Sequence, residues 1–221
     1  MDSSPLTVSA SLRRDDFELA LDLRLEPGET LGLTGDIGTG KTSALWLIAG
    51  RLRASQGRVA LGDAVWDEPS TATFVADRPV SLLSQAYQND LPERSTGTEA
   101  VIANIESSLN PDPDSGADRD PEAIARTVLA ELGVGDHVVD RLPWTFSGAE
   151  AQRVALARAV APRPAVVLLD EPFGALDKRT GTEVRQWLAQ WLAGYSGIAV
   201  VASTRADDLE QLTDRVISLD C

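Results

Sequence analysis

Hydrophobic positions along the chain fall into two different rhythms. Thr7 to Leu12 and Phe17 to Leu25 alternate apolar and polar residues, the pattern of half-buried strands, with Arg13-Arg14-Asp15-Asp16 as the turn between them. Pro27-Gly28 interrupts the chain, and Thr30 to Thr34 reads as a short strand entering a glycine-rich loop. Lys41 to Ala49 then reads as a helix, and Val59 to Leu61 and Ala64 to Trp66 flank Gly62-Asp63 as a small hairpin. Val80 to Leu83 is apolar throughout and predicts a buried strand.

The spacing turns helical between Ser95 and Val139. Thr98 to Ile105 and Pro121 to Leu132 are the predicted helices, the second with proline in its first turn, where its missing N–H costs nothing. Asn110 to Asp120, rich in Asp, Pro, Ser and Gly, reads as a solvated loop. Further on, Glu150 to Ala159 predicts a helix closed by Pro162 and Pro164, and Ala165 to Leu169 is an unbroken apolar strand. An amphipathic helix over Arg179 to Leu192, a buried strand over Ile198 to Ala202, a short helix over Asp207 to Leu212 and a last strand over Val216 to Leu219 complete the order. Strands alternating with helices predict an α/β core with a parallel sheet. No internal repeat interrupts the pattern.

Composition narrows the function classes. With 221 residues the chain can bury one full core. Its 34 acidic against 20 basic residues, net charge −14, exclude nucleic acid as the expected partner, because displacing phosphate counterions requires a basic surface. No apolar run approaches the ~18 residues of a membrane span. Met1 to Leu12 has no basic start and no long apolar stretch, so secretion is not expected. The single cysteine, Cys221, excludes an internal disulfide framework and reads as a frayed terminal thiol.

Two motifs carry chemistry. Gly35-Asp36-Ile37-Gly38-Thr39-Gly40-Lys41-Thr42 fits G-x-x-x-x-G-K-[ST], between a predicted strand and a predicted helix. Backbone N–H groups that curl around a phosphate need glycine at the sharp positions, and the following helix adds the positive end of its dipole. Lys41 can reach the β- and γ-phosphates and the Thr42 hydroxyl can bind Mg²⁺; the alternative is a chance glycine turn. Val166 to Leu169 runs into Asp170-Glu171, which places two carboxylates at the sheet edge where α/β proteins bind ligands. Successive strand residues point opposite ways, so Asp170 is the candidate for holding Mg²⁺ and Glu171 the candidate for orienting the attacking water.

Phe146-Ser147-Gly148-Ala149-Glu150-Ala151-Gln152-Arg153-Val154, standing between GDIGTGKT and LLDEPFGALD, resembles the signature motif of ABC ATPases, usually LSGGQ-x-QRV. In that order the motifs make most of the chain similar to an ABC nucleotide-binding subunit, nearest the importers of the molybdate, sulfate or polyamine type. The resemblance implies one ATP-binding domain over residues 1–221: a P-loop NTPase core with a parallel sheet, an N-terminal antiparallel β subdomain and a helical subdomain at about 86–145. It implies ATP and Mg²⁺ as cofactors, and a head-to-tail dimer in which Ser147, Gly148, Ala149 and Glu150 face the partner's ATP. Ser43 joins the phosphate loop as a nucleotide contact, Gln85 touches Mg²⁺ and water, and Ala175-Leu176-Asp177 communicates across the dimer. Phe17 is a candidate for stacking on the base, with an ordinary core phenylalanine as the alternative.

Beneath a separate transmembrane permease, and with an extracytoplasmic solute-binding protein, such a subunit would sit at the cytoplasmic face of the membrane. Three departures stand against the family pattern. Arg205 is expected in place of a histidine that contacts the γ-phosphate, keeping a charge but not a titratable proton, with a solvent-facing pair to Asp207 or Asp208 as the alternative. Ala149 replaces the second signature glycine, and the chain ends at Cys221, where many importer subunits continue into a regulatory domain. Two alternatives remain beside the transport ATPase: a clamp that binds ATP in a heterodimer without hydrolysing it, and an ABC ATPase outside transport.

Overall fold

The structure is a computed structural model that describes residues 4–14, 17–73, 77–107 and 120–219. Of the expected turn Arg13-Arg14-Asp15-Asp16, the two arginines instead end a strand that pairs as far as Phe17, and Asp15-Asp16 lie outside these residues, as do the acidic loop except Asp120 and Cys221. In chain order, β1 (Leu6–Arg14) and β2 (Phe17–Leu25) form a hairpin, and β3 (Thr30–Thr34) leads into α1 (Lys41–Ala49). There follow β4 (Gln56–Leu61), β5 (Ala64–Glu68), β6 (Thr71–Ala72) and β7 (Val80–Leu83), then helices α2 (Gly97–Glu106), α3 (Pro121–Glu131) and α4 (Asp136–Val139). The chain continues through α5 (Gly148–Val160), β8 (Val166–Asp170), α6 (Lys178–Ala193), β9 (Ile198–Ala202) and β10 (Arg215–Ser218).

Among the described residues the strands form two five-stranded sheets. One is antiparallel, in the order β2-β1-β4-β5-β6; the other is parallel, in the order β10-β3-β9-β8-β7. The alternation in β2 is used as it reads. Leu19, Leu21, Leu23 and Leu25 turn inward while Glu18, Ala20, Asp22 and Arg24 face out.

The unbroken apolar strands of the parallel sheet are buried on both faces, and successive residues feed different cores. Val166, Leu168, Ile198, Val200 and Ala202 join α1 and the antiparallel sheet. Val167, Leu169, Ala199 and Val201 join α2, α3, α5 and α6. Helix α1 is apolar nearly all round because it lies between the two sheets, with Ala44, Leu45, Leu47 and Ile48 fully buried. Arg78, itself buried, donates to the Leu47 and Ile48 carbonyls at the end of α1 and to Trp66. That satisfies carbonyls a helix end leaves open.

One expected element is not formed. Asp207 to Leu212 is a 3-10 turn at Ala206–Asp208 followed by irregular turns, not a helix. Its hydrogen bonds run to the third residue back, Leu209 N–H to the Ala206 carbonyl and Leu212 N–H to the Leu209 carbonyl. Asp208 turns its carboxylate inward instead of facing water on a helix surface.

Candidate functional site

The glycine-rich loop joins β3 to α1 at the C-terminal edge of the parallel sheet. Gly35, Gly38 and Gly40 have φ of 139°, 91° and 102°, in the region where a side chain is strained. A Cβ on Gly40 would stand 2.8 Å from the Phe17 ring, and one on Gly35 would stand 2.5 Å from the Leu219 carbonyl oxygen. Glycine here is a matter of space as well as angle. Asp36 and Thr39 close the loop, the Thr39 hydroxyl donating to the Asp36 carbonyl at 3.0 Å. Buried Lys41 turns back across the loop and donates to the carbonyls of Gly35 (2.6 Å) and Asp36 (2.8 Å).

Beside the loop, the Thr42 hydroxyl donates to Asp170 Oδ2 at 2.7 Å. Asp170 ends β8 and is 2% exposed. Burial pushes its carboxyl above the usual carboxylate range, against the Thr42 hydroxyl, which holds it down, and with the added repulsion of Glu171. A Thr hydroxyl hydrogen-bonded to a carboxylate, with Gln85 on the same wall, is a set of hard oxygen donors. Such a set suits Mg²⁺, which takes one or two carboxylates and shares its other positions with phosphate and water.

Glu171 starts the turn after β8 at φ 48°, a strained backbone for a glutamate. Its main chain is pinned on both sides: its N–H donates to the Ala202 carbonyl, and its carbonyl accepts from the Gln152 amide at 2.8 Å. The same Gln152 side chain accepts the Ala175 N–H at 2.6 Å, so one residue of α5 clasps the whole turn. The Glu171 carboxylate accepts the Thr204 N–H at 2.7 Å.

These groups converge on one cleft of about 290 Å³, lined by Phe17, Ile37, Gly38, Gly40, Lys41, Thr42, Ser43, Gln85, Asp170, Glu171 and Thr204. Phe17 combines both of its expected settings, since it borders the cleft and packs against the core of the antiparallel sheet. Ile37 stands 93% exposed at the loop tip. Arg205 does not border the cleft. Its side chain is 71% exposed and faces Asp208 at 3.7 Å, while the preceding residue, Thr204, is the one the loop sends to the site. The side chain expected at the γ-phosphate, Arg205, is thus not among those lining this cleft, and Thr204 is the residue of its loop that is. Neither Thr204 nor Gln152 was assigned a role from sequence, although Gln152 lies within the stretch that resembles the signature motif.

Ser147, Gly148, Ala149 and Glu150 are outside this cleft, at the start of α5. Ser147 and Gly148 are exposed. The Ser147 hydroxyl accepts the Glu150 N–H and the Glu150 carboxylate accepts the Ser147 N–H, a reciprocal cap. That backbone bond, the largest contribution, holds the Glu150 carboxyl below its ordinary range. A second cavity of about 260 Å³ opens nearby between Gln88, Leu91, Glu93, Pro143, Phe146 and Trp144, the last 76% exposed. Among the described residues no helix is long and apolar enough to cross a membrane.

Comparison with known proteins puts this arrangement in context. The pattern of the ABC transporter family matches residues 19–174. The sulfate/thiosulfate import ATP-binding protein CysA of Nitrosomonas europaea is 35% identical over 201 residues, 90% of this chain and 53% of that protein. The molybdenum import ATP-binding protein ModC of Albidiferax ferrireducens is 34% identical over 221 residues, 99% of this chain and 57% of that protein. The chain spans about half the length of the curated relatives it matches. In fold, it is similar to a dimeric bacterial ABC transporter cassette, with a TM-score of 0.78 at 22% identity over 97% of this chain and 93% of that one. A matching family pattern that runs from β2 through the glycine-rich loop and the acidic pair to the turn beyond them leaves one assignment, and the chain belongs to the ABC transporter family.

Proposed function

We propose that this chain binds and hydrolyses ATP as the nucleotide-binding subunit of an ABC importer. The observation that carries the reading is the single cleft in which the glycine-rich loop, Gln85, Asp170 and Glu171 meet. The nucleotide phosphates would take over the loop, with Lys41 exchanging the Gly35 and Asp36 carbonyls for phosphate oxygens. Gly35 to Gly40, Thr42 and Ser43 would supply backbone and hydroxyl donors, and Phe17 a face for the base. Thr42, Asp170 and Gln85 would hold Mg²⁺, whose charge offsets that of the phosphates. Glu171, its carboxylate held by the Thr204 N–H, would orient the attacking water.

The exposed start of α5 supports a dimer. Ser147 to Glu150 lie away from their own cleft, so they would serve the ATP of a second subunit. On this reading residues 1–221 act as one ATP-binding domain, and the segment at about 86–145, with exposed Trp144 beside a groove of mixed polar and apolar lining, faces a transmembrane permease. That would hold the chain at the inner face of the membrane. The relatives are named for sulfate/thiosulfate and molybdenum import, which makes one of these the proposed solute, delivered by an extracytoplasmic binding protein.

A second reading, an ATP clamp that leaves hydrolysis to its partner, draws support from Thr204, which brings no cation or titratable group to the cleft. Two variants separate the readings. Lys41→Ala should abolish nucleotide binding in a folded protein, measured by fluorescent-nucleotide titration with circular dichroism. Glu171→Gln should bind ATP normally, hydrolyse it far more slowly and accumulate as an ATP-bound dimer in size-exclusion chromatography. Equal hydrolysis by wild type and Glu171→Gln would place the water-orienting group elsewhere, and no hydrolysis by wild type would overturn the ATPase reading and favour the clamp.

A further inference from the structure

A ring of contacts behind Glu171 reaches a buried ion pair. The Ser203 hydroxyl, fully buried, lies 3.3 Å from Glu171 Oε2 and 3.3 Å from Asp208 Oδ2. It has one proton and two carboxylates to choose from. Asp208, 5% exposed, is bound on its other oxygen by Arg185 of α6, with Nη2 at 2.6 Å from Oδ1. The Arg185 guanidinium also lies 4.8 Å from the centre of the Phe173 ring, and Phe173 is two residues past Glu171 in the same turn. The path Glu171, Ser203, Asp208, Arg185, Phe173 thus closes on itself.

We propose that Arg185 and Asp208 are positioning residues for Glu171, acting through the shared proton of Ser203. The inference rests on the assignment of Glu171 to water activation. With Arg185 in place the Asp208 charge is compensated, so the Ser203 hydroxyl donates to Glu171 and, with the Thr204 N–H on Oε1, fixes both carboxylate oxygens. Without Arg185, Asp208 becomes a buried carboxylate with only the exposed Arg205, at 3.7 Å, to answer it. It then takes the Ser203 proton and leaves Glu171 Oε2 without a donor. The ion pair touches neither the glycine-rich loop nor the Thr42–Asp170 pair, so nucleotide affinity is outside its reach.

The test measures ATP hydrolysis and ATP affinity of the full chain with Mg²⁺, for wild type, Glu171→Gln, Arg185→Met, Ser203→Ala and the double variant Arg185→Met/Asp208→Asn. Arg185→Met and Ser203→Ala should each lower kcat by about ten- to a hundredfold, the worth of one hydrogen bond to a charged group, at unchanged Kd for ATP. The double variant should recover most of the loss, because no uncompensated carboxylate then competes for the hydroxyl. Should Arg185→Met not fold, Ser203→Ala keeps the ion pair and decides the matter alone. Wild-type turnover in Ser203→Ala, or a double variant no faster than Arg185→Met, overturns the proposal while a slow Glu171→Gln leaves the ATPase reading standing. Equal rates for wild type and Glu171→Gln remove the proposal together with the assignment of Glu171 to water activation.

Discussion

At the scale of single residues the site depends on which neighbour on a short loop faces inward. Thr204 borders the cleft and Arg205 faces water, paired with Asp208. At 3.7 Å and with its guanidinium mostly in water, Arg205 is a weak second partner for buried Asp208 beside Arg185 at 2.6 Å. Arg205→Ala should therefore change turnover less than about fivefold and leave ATP affinity as it is, in steady-state assays beside wild type. A drop comparable to that of Glu171→Gln would mean that Arg205 swings into the site during turnover. Residue types with a fixed geometric duty were legible in the sequence: the loop glycines, Lys41, Thr42 and the acid pair Asp170-Glu171 at the end of β8 all line the cleft or close it. Register along an irregular turn was not, because neither a period of two nor one of 3.6 says which of Ser203, Thr204 and Arg205 points inward. Gln152 escaped for a different reason, since its partners are main-chain groups 19 and 23 residues away, at Glu171 and Ala175.

At the scale of elements, strands and helices with a strong period matched their reading closely, and Phe17–Leu25, Thr30–Thr34, Lys41–Ala49, Val80–Leu83 and Ile198–Ala202 agree to the residue. Elements too short to show a period, the two-residue β6 and the one-turn α4, gave no signal. The helix expected over Asp207 to Leu212 had leucines at a helical spacing but lost to the inward bond of Asp208. Helix starts explain how the functional ends are shaped. Ser147 caps α5 and Asp177 caps α6, accepting the N–H groups of Arg179 and Thr180. Removing the first cap in Ser147→Ala should cost about 1 kcal/mol, seen as a lower unfolding midpoint in denaturant. The Glu150 carboxyl sits below its ordinary range, so its stabilisation is complete above the unfolded-chain value and is lost as pH falls through the lower, folded value. Wild type and Glu150→Gln should accordingly differ in Tm at neutral pH and converge in acid. A constant difference down to the acid transition would place the contribution elsewhere.

For the whole molecule the balance of charge matters most. The chain carries a net −14, and among the residues lining the cleft one lysine stands against two carboxylates. That lysine already donates to the Gly35 and Asp36 carbonyls, which tie it across the loop. A triphosphate stripped of metal thus approaches a like-charged mouth whose one cation is engaged. It has to displace backbone oxygens while Asp170 and Glu171 repel it. On the proposed reading admission would be a joint event: a divalent ion would act as the escort that makes the anion acceptable, and neither guest is expected to lodge well alone. Titration of the same preparation with and without a chelator should show ATP affinity falling at least about tenfold when Mg²⁺ is removed, equivalent to roughly 1.4 kcal/mol. Raising the salt concentration should narrow the gap, because screening softens the repulsion more than it weakens the direct contacts of the lysine. An affinity indifferent to the metal would mean that the loop amides outweigh the acids, and that this doorway reads phosphate regardless of its company.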